Sequence, residues 1–173
     1  MHLSEAPIIT AAQIERRIVE LAEQISRDYA GRDVLLIAVL KGSIVFASDL
    51  MRRLTIPIVL DFVRACSYRN AESTGHVECT YLPEQNVAGK HVLLLEDILD
   101  TGRTASAVVE RIRKDAPASV TVCALFDKPS RRAAPITADY VGFTLDDQFV
   151  VGYGLDYNEC GRELPDLHVL DTD

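Results

Sequence analysis

The sequence predicts an α/β fold, an open, mainly parallel, twisted sheet flanked by helices. Three observations carry that prediction. Unbroken apolar runs recur at Val34–Leu40, at residues 92–95 and at residues 120–126, without the polar alternation of a half-exposed strand. Segments with apolar residues at helical spacing lie among them. The two kinds of segment alternate along the chain, which asks for crossover connections and places ligand sites at the C-terminal ends of the strands.

Each element has its own local reason. Thr10 and Gln13 form a capping box, after which Ile14, Ile18, Leu21, Ala22 and Ile25 share one helical face, closed by Gly31. Val34–Leu40 follows as a buried strand. Lys41-Gly42-Ser43 is a short turn, and Ser43 stands where it could cap a helix with Ile44, Ala47, Leu50 and Met51 inward. Pro57 introduces a strand at 58–65, then a polar loop at 66–75 and a further strand at 76–82. Gly89-Lys90 turns the chain into the central strand at 91–95. Ala105, Val108, Val109 and Ile112 mark a helix ending near Pro117. Residues 120–126 form another buried strand, and the loop at 127–135 carries Lys128, Arg131 and Arg132. Residues 140–143 and 149–153 read as two more strands. No repeat, low-complexity tract or linker divides the chain, so residues 1–173 are expected to form a single domain.

Composition narrows the function. Hydrophobic residues make up 48% of the 173, enough for a packed core. With 26 acidic against 18 basic residues the net charge is −8, a poor footprint for nucleic acid, so no nucleic-acid partner is expected. Local basic residues can still receive a small anion. The N-terminus lacks the pattern of a secretory signal, and the longest strongly apolar run falls far short of a membrane span, so no membrane partner is expected. Cys66, Cys79, Cys123 and Cys160 include no C-x-x-C pair and fit reduced thiols in a cytoplasmic protein. His2, His76, His91 and His168 show no metal-ligand spacing.

The most informative stretch is residues 92–104. Four apolar residues run into Glu96 and Asp97; Asp100 follows, and Thr101-Gly102-Arg103-Thr104 opens a helical pattern. Two like charges ~4 Å apart repel by about 1 kcal/mol in water and by about 4 at an effective dielectric of ~20. Such a cluster makes sense if a cation or sugar hydroxyls sit among the oxygens. The turn offers N–H groups and hydroxyls at a helix start, which suits a phosphate. A plainer reading makes Asp100 or Thr101 an N-cap and the acids a solvated loop. The acids' place at the end of a buried strand, with a glycine inside the turn, favours a ligand. The stretch is neither a Walker loop nor G-x-G-x-x-G.

Two acids, two apolar residues and Asp-Thr-Gly-x-Thr after an apolar strand closely resemble the motif by which type I phosphoribosyltransferases bind 5-phosphoribosyl-1-pyrophosphate. Residues 39–43, Ser67-Tyr68, residues 127–132 and residues 149–159 resemble, in order and spacing, the short bacterial hypoxanthine-guanine phosphoribosyltransferases, from about residue 14 onward. The resemblance implies the type I phosphoribosyltransferase fold with a small hood formed by the terminal segments. It implies that Asp100, Thr101, Gly102, Arg103 and Thr104 hold the 5′-phosphate. Glu96 and Asp97 then hold the ribose hydroxyls directly or through Mg2+, with Asp156 as a further metal contact. Asp100 takes the place of the general acid/base beside purine N7.

The same resemblance assigns the remaining contacts. Lys41 and Gly42 fall in the pyrophosphate loop, where the family's Leu-Lys peptide is often cis, and Arg162 also meets pyrophosphate. Ser67 and Tyr68 belong to a mobile loop over the site. Lys128 donates to the purine 6-oxo group, Phe149 stacks on the base and the Val150 backbone meets its edge. From the residues alone, Lys128 would read as a solvated loop lysine and Phe149 as core. An ammonium donates to a 6-oxo group and cannot accept from a 6-amino group, which disfavours adenine. One departure stands out: Cys160-Gly161 precedes Arg162, where relatives carry a bulkier, often aromatic residue.

The implied function is purine salvage: transfer of the 5-phosphoribosyl group to N9 of hypoxanthine or guanine, giving IMP or GMP and pyrophosphate. A homodimer or homotetramer is implied with it. Two rivals are a nucleotide-sensing regulatory protein of the same fold and a xanthine-preferring enzyme. The acidic charge and the presence of Asp100, Lys128 and Asp156 favour catalysis over sensing.

Overall fold

The computed structural model describes residues 2–67, 77–81 and 84–171. Tyr68 and most of the loop at 66–75 lie outside these residues, and Ser67 is described only as backbone.

A six-stranded sheet forms the centre. Its strands are β2 (Val34–Leu40), β3 (Ile58–Ser67), β4 (Val77–Tyr81), β5 (His91–Leu99), β6 (Ser119–Asp127) and β7 (Tyr140–Thr144). They lie in the order β4-β3-β2-β5-β6-β7. All neighbours are parallel except β4, which runs antiparallel to β3. A second sheet joins the chain ends in the order β1-β9-β8, from β1 (His2–Leu3), β8 (Val150–Val151) and β9 (His168–Asp171). This is the expected hood of terminal segments.

Helices α1 (Ala11–Asp28) and α2 (Ile44–Met51) cover one face of the large sheet, and α3 (Arg103–Arg113) covers the other. Leu93 and Leu95 join Ile14, Ile18 and Phe46 in one core cluster, while Leu94 joins Val108 and Ile112 in another. Burial on both faces is why the central strand carries no polar alternation. The capping box on α1 forms as expected, with the Gln13 N–H bonding to Thr10 Oγ1 and the Thr10 N–H to Gln13 Oε1. The Ala11 N–H also donates to Asp166 Oδ1 at 2.6 Å, tying the start of α1 to the hood.

Five local readings need correction. β5 runs on to Leu99, so Glu96 and Asp97 lie inside the strand and not beyond it, with Glu96 paired to Ala124 and Ile98 to Phe126 of β6. The strand expected at 149–153 pairs only over Val150–Val151, because Gly152, Tyr153 and Gly154 all take positive φ and turn the chain away. Gly102, at φ +77°, is the N-cap of α3, which displaces Asp100 and Thr101 from that position. In α2 the buried face is Phe46, Ala47 and Leu50, and Ile44 is half exposed. Residues 44–47 are all apolar, so spacing alone does not choose among faces. Ser43 occupies the N-cap position, but its hydroxyl donates back to the Val39 carbonyl at 2.5 Å and caps nothing.

Candidate active site

The C-terminal ends of β2 and β5, the N-terminus of α3 and the turn after Gly154 enclose a cleft of about 330 Å³. Ten of the predicted residues line it: Lys41, Gly42, Glu96, Asp97, Asp100, Thr101, Gly102, Thr104, Asp156 and Arg162. Lys128, Phe149 and Val150 stand on neighbouring segments, and Arg103 opens α3 with its side chain exposed.

The two strand acids are buried. Adjacent strand residues point to opposite faces, so Asp97 follows Leu95 toward α2 and Glu96 follows Leu94 toward α3. Glu96 is 4% exposed, and its Oε1 has no hydrogen-bond partner among the described residues. Burial, with Asp97 adding to it, raises the Glu96 carboxyl well above its ordinary range. Burial likewise pushes Asp97 up to about 6, against hydrogen bonds from its own backbone and that of Ile98. Asp97 packs against the turn after β2. A Cβ on Gly42 would sit 1.6 Å from Asp97 Oδ2, so only glycine permits this approach. The Leu40–Lys41 peptide is cis, as the family resemblance implies.

The cations of the cleft are already engaged. Arg162 Nη2 lies 2.7 Å from Asp156 Oδ1, and its Nη1 donates to the Gly154 carbonyl at 2.8 Å. Glu159 Oε2 then receives both Lys41 Nζ at 2.9 Å and Arg162 Nη2 at 3.4 Å. These hydrogen bonds, led by that from Lys41, lower the Glu159 carboxyl. Glu159 lies inside the stretch 149–159, but nothing in its own spacing marks it as the anion shared by the nearby Arg162 and the distant Lys41.

Asp100 sits at the mouth of the cleft with its side chain 39% exposed, 3.2 Å from Arg131 Nε. Lys128 is 6% exposed, against the plain expectation of a solvated lysine. Its Nζ donates to the Gln148 carbonyl at 2.5 Å, which leaves further ammonium hydrogens for a ligand. Burial lowers the Lys128 pKa, with Asp100 the largest opposing influence. Phe149 is 50% exposed and lies edge-on to Tyr157, with ring centroids 5.7 Å apart, so the core reading fails and a free aromatic face remains. Val150 is buried and paired with Val169. Arg132, given no role from sequence, bonds to the backbone at Leu99 and Asp100.

The chain matches the family described as "Phosphoribosyl transferase domain" over residues 8–158. It is 41% identical over 161 residues to the hypoxanthine phosphoribosyltransferase of Salmonella typhimurium, covering 91% of this chain and 90% of the relative. The chain belongs to the hypoxanthine phosphoribosyltransferase family. A hypoxanthine-guanine phosphoribosyltransferase of Staphylococcus aureus is 40% identical over 164 residues, covering 94% and 92% of the two chains. The crystal structure of a hypoxanthine-guanine phosphoribosyltransferase from Bacillus anthracis, with a HEPES molecule in its active site, superposes with a TM-score of 0.93. It is 40% identical to this family member and covers 98% of this chain and 100% of that one. The architecture is the type I phosphoribosyltransferase fold, with five parallel strands flanked by helices.

Proposed function

We propose that the cleft transfers the 5-phosphoribosyl group from 5-phosphoribosyl-1-pyrophosphate to N9 of hypoxanthine or guanine, giving IMP or GMP and pyrophosphate. One observation carries this reading: Asp100 stands between a phosphate-suited turn and a buried, donating Lys128 beside the exposed ring of Phe149. A sugar phosphate and a 6-oxopurine fit the two sides, and a proton acceptor lies at their junction.

The residues divide the work. Thr101, Gly102, Arg103 and Thr104, with Asp100, hold the 5′-phosphate at the positive end of α3. Glu96 and Asp97, which both line the cleft, hold the ribose hydroxyls directly or through Mg2+. Lys128 donates to the 6-oxo oxygen, Phe149 stacks on the ring and the Val150 backbone meets its edge. N9 attacks C1 as the C1–O bond to pyrophosphate breaks, and the proton on N7 passes to the Asp100 carboxylate. Lys41, Gly42 and Arg162 receive the leaving pyrophosphate.

The residues fit Mg2+. Glu96 Oε1 is buried without a partner among the described residues, and Asp97 is held above its ordinary range. Both are relieved by a nearby cation. Among the described residues, no group of three His, Cys, Asp or Glu side chains is gathered to hold a metal by itself. Magnesium asks for less, one or two carboxylates with phosphate oxygens and water. Asp97, Asp156 and Glu96, all lining the cleft, would supply its carboxylate contacts. When bound it supplies positive charge beside the donor's pyrophosphate. The same reading carries a single domain over 1–173 in a cytoplasmic homodimer or homotetramer. No described helix is long and apolar enough to cross a membrane.

The direct test is spectrophotometric turnover of hypoxanthine with the sugar donor and millimolar magnesium. IMP formation is expected, and EDTA should abolish it. Absence of product would move the protein to the nucleotide-sensing reading. Parallel kcat/KM values for hypoxanthine, guanine and xanthine rank the bases. Lys128→Ala should lower kcat/KM for the 6-oxopurines about 10- to 100-fold, the worth of one charge-assisted hydrogen bond. The donor KM should move less than about threefold on the same argument. If both purines are spared, the base pocket lies elsewhere.

A further inference from the structure

The loop after β6 does more than carry Lys128. Its Arg132 side chain is 15% exposed and lies under the phosphate turn. Nη1 donates to the Leu99 carbonyl at 2.9 Å and also to the Asp100 carbonyl, while Nη2 pairs with Asp127 Oδ1. Asp127 is itself 8% exposed and immediately precedes Lys128. The next residues continue the connection: the Ala133 and Ala134 N–H groups both donate to the Thr101 carbonyl, at 2.9 and 3.1 Å. The Lys128 N–H donates to the Leu99 carbonyl at 3.0 Å. Three consecutive carbonyls, those of Leu99, Asp100 and Thr101, are thus held by one loop. Contact is tight enough that a Cβ on Gly102 would lie 2.9 Å from Arg132 Cδ and 2.6 Å from Ile136 Cγ2.

A nearly buried ion pair is a weak source of stability, because desolvation cancels much of its attraction. Its geometry is what distinguishes this one. A planar guanidinium reaches two carbonyls and a carboxylate at once, which the single ammonium of lysine does not reproduce. We propose that Arg132, paired with Asp127, is a positioning residue that sets the phosphate turn at a fixed distance from the base pocket. It touches neither substrate. It aligns the half-site that holds the 5′-phosphate with the half-site that holds the purine, so that a ligand spanning both meets them together. The proposal rests on the phosphoribosyl transfer reading given above.

The test compares a spanning ligand with its halves. IMP, inosine and ribose 5-phosphate are titrated separately against the wild type, Arg132→Lys and Asp127→Asn by NMR or calorimetry. Arg132→Lys should leave inosine and ribose 5-phosphate within about twofold of wild type, and weaken IMP about tenfold or more, as misaligned but intact halves would. Asp127→Asn keeps an acceptor and should show the same pattern in milder form, which serves if Arg132→Lys does not fold. Unchanged IMP affinity in both variants overturns the proposal. Proportional weakening of all three ligands also overturns it, since a merely structural role would act that way. Failure of the wild type to bind IMP at all sinks the purine reading itself and is thereby told apart.

Discussion

Asp100→Asn is expected to lower kcat for IMP formation by about 10²- to 10⁴-fold, the usual worth of a positioned acid/base. The KM for 5-phosphoribosyl-1-pyrophosphate should stay within about threefold, because donor contacts are kept in ground state and transition state alike. Asparagine has nearly the same shape as aspartate. Arg132 bonds to the Asp100 carbonyl and not to its carboxylate, so the turn keeps its frame in the variant. What is lost is the oxygen that can take a proton, together with the negative charge facing Arg131 Nε at 3.2 Å. That surface pair contributes little to folding by itself, so a large fall in kcat reads as chemistry. Steady-state rates with single-turnover measurements separate chemistry from product release. Turnover equal to wild type would remove Asp100 from the acid/base role.

Gly42→Ala carries the second large effect. The added Cβ would fall 1.6 Å from Asp97 Oδ2, with the rest of that carboxyl close behind. Asp97 cannot easily retreat, because its Oδ1 accepts from the Ile98 N–H at 2.9 Å within the paired strand β5. The turn after β2 must move instead. A displacement near 1 Å at a site that positions reactants costs about 10²-fold. We expect that loss in kcat/KM for the sugar donor and, in the reverse direction, for pyrophosphate. The hypoxanthine KM should change much less, since the base contacts lie on the far side of Asp100. Wild-type values for donor and pyrophosphate would show that the turn is not the pyrophosphate site.

Much of this architecture is legible in the chain because burial and periodicity agree. Residues 92–95 announce a strand covered on both faces, and Ile14 through Ile25 announce the α1 face, since each pattern has one physical solution. Local ambiguity begins where that agreement ends. The acids Glu96 and Asp97 look like the end of a strand by composition, yet β-pairing to β6 carries the strand past them to Leu99. Phe149 looks like core by composition, yet its neighbours in the hood leave half of it open. Lys128 looks solvated, yet the loop folds it under cover. Glu159 and Arg132 were beyond reach for a different reason. The contacts that define them reach Lys41 and the Leu99 and Asp100 carbonyls, and contacts so distant in sequence leave no periodic trace.

The passage of β5 through its own acids ties two kinds of error together. Side chains on a strand alternate strictly, so a one-residue slip exchanges the faces of every residue that follows. In β5 the same register that sends Leu93 and Leu95 to one core cluster and Leu94 to the other also sends Asp97 toward Gly42 and Glu96 away from it. An insertion or deletion ahead of Leu93 would disturb the core and the cleft together. It would invert the hydrophobic pattern as it inverted the carboxylates. Core packing and carboxylate placement are thus coupled through Leu95, and the pairing of β5 with β6 skips Asp97, after which Ile98 returns to the cluster of Leu93 and Leu95.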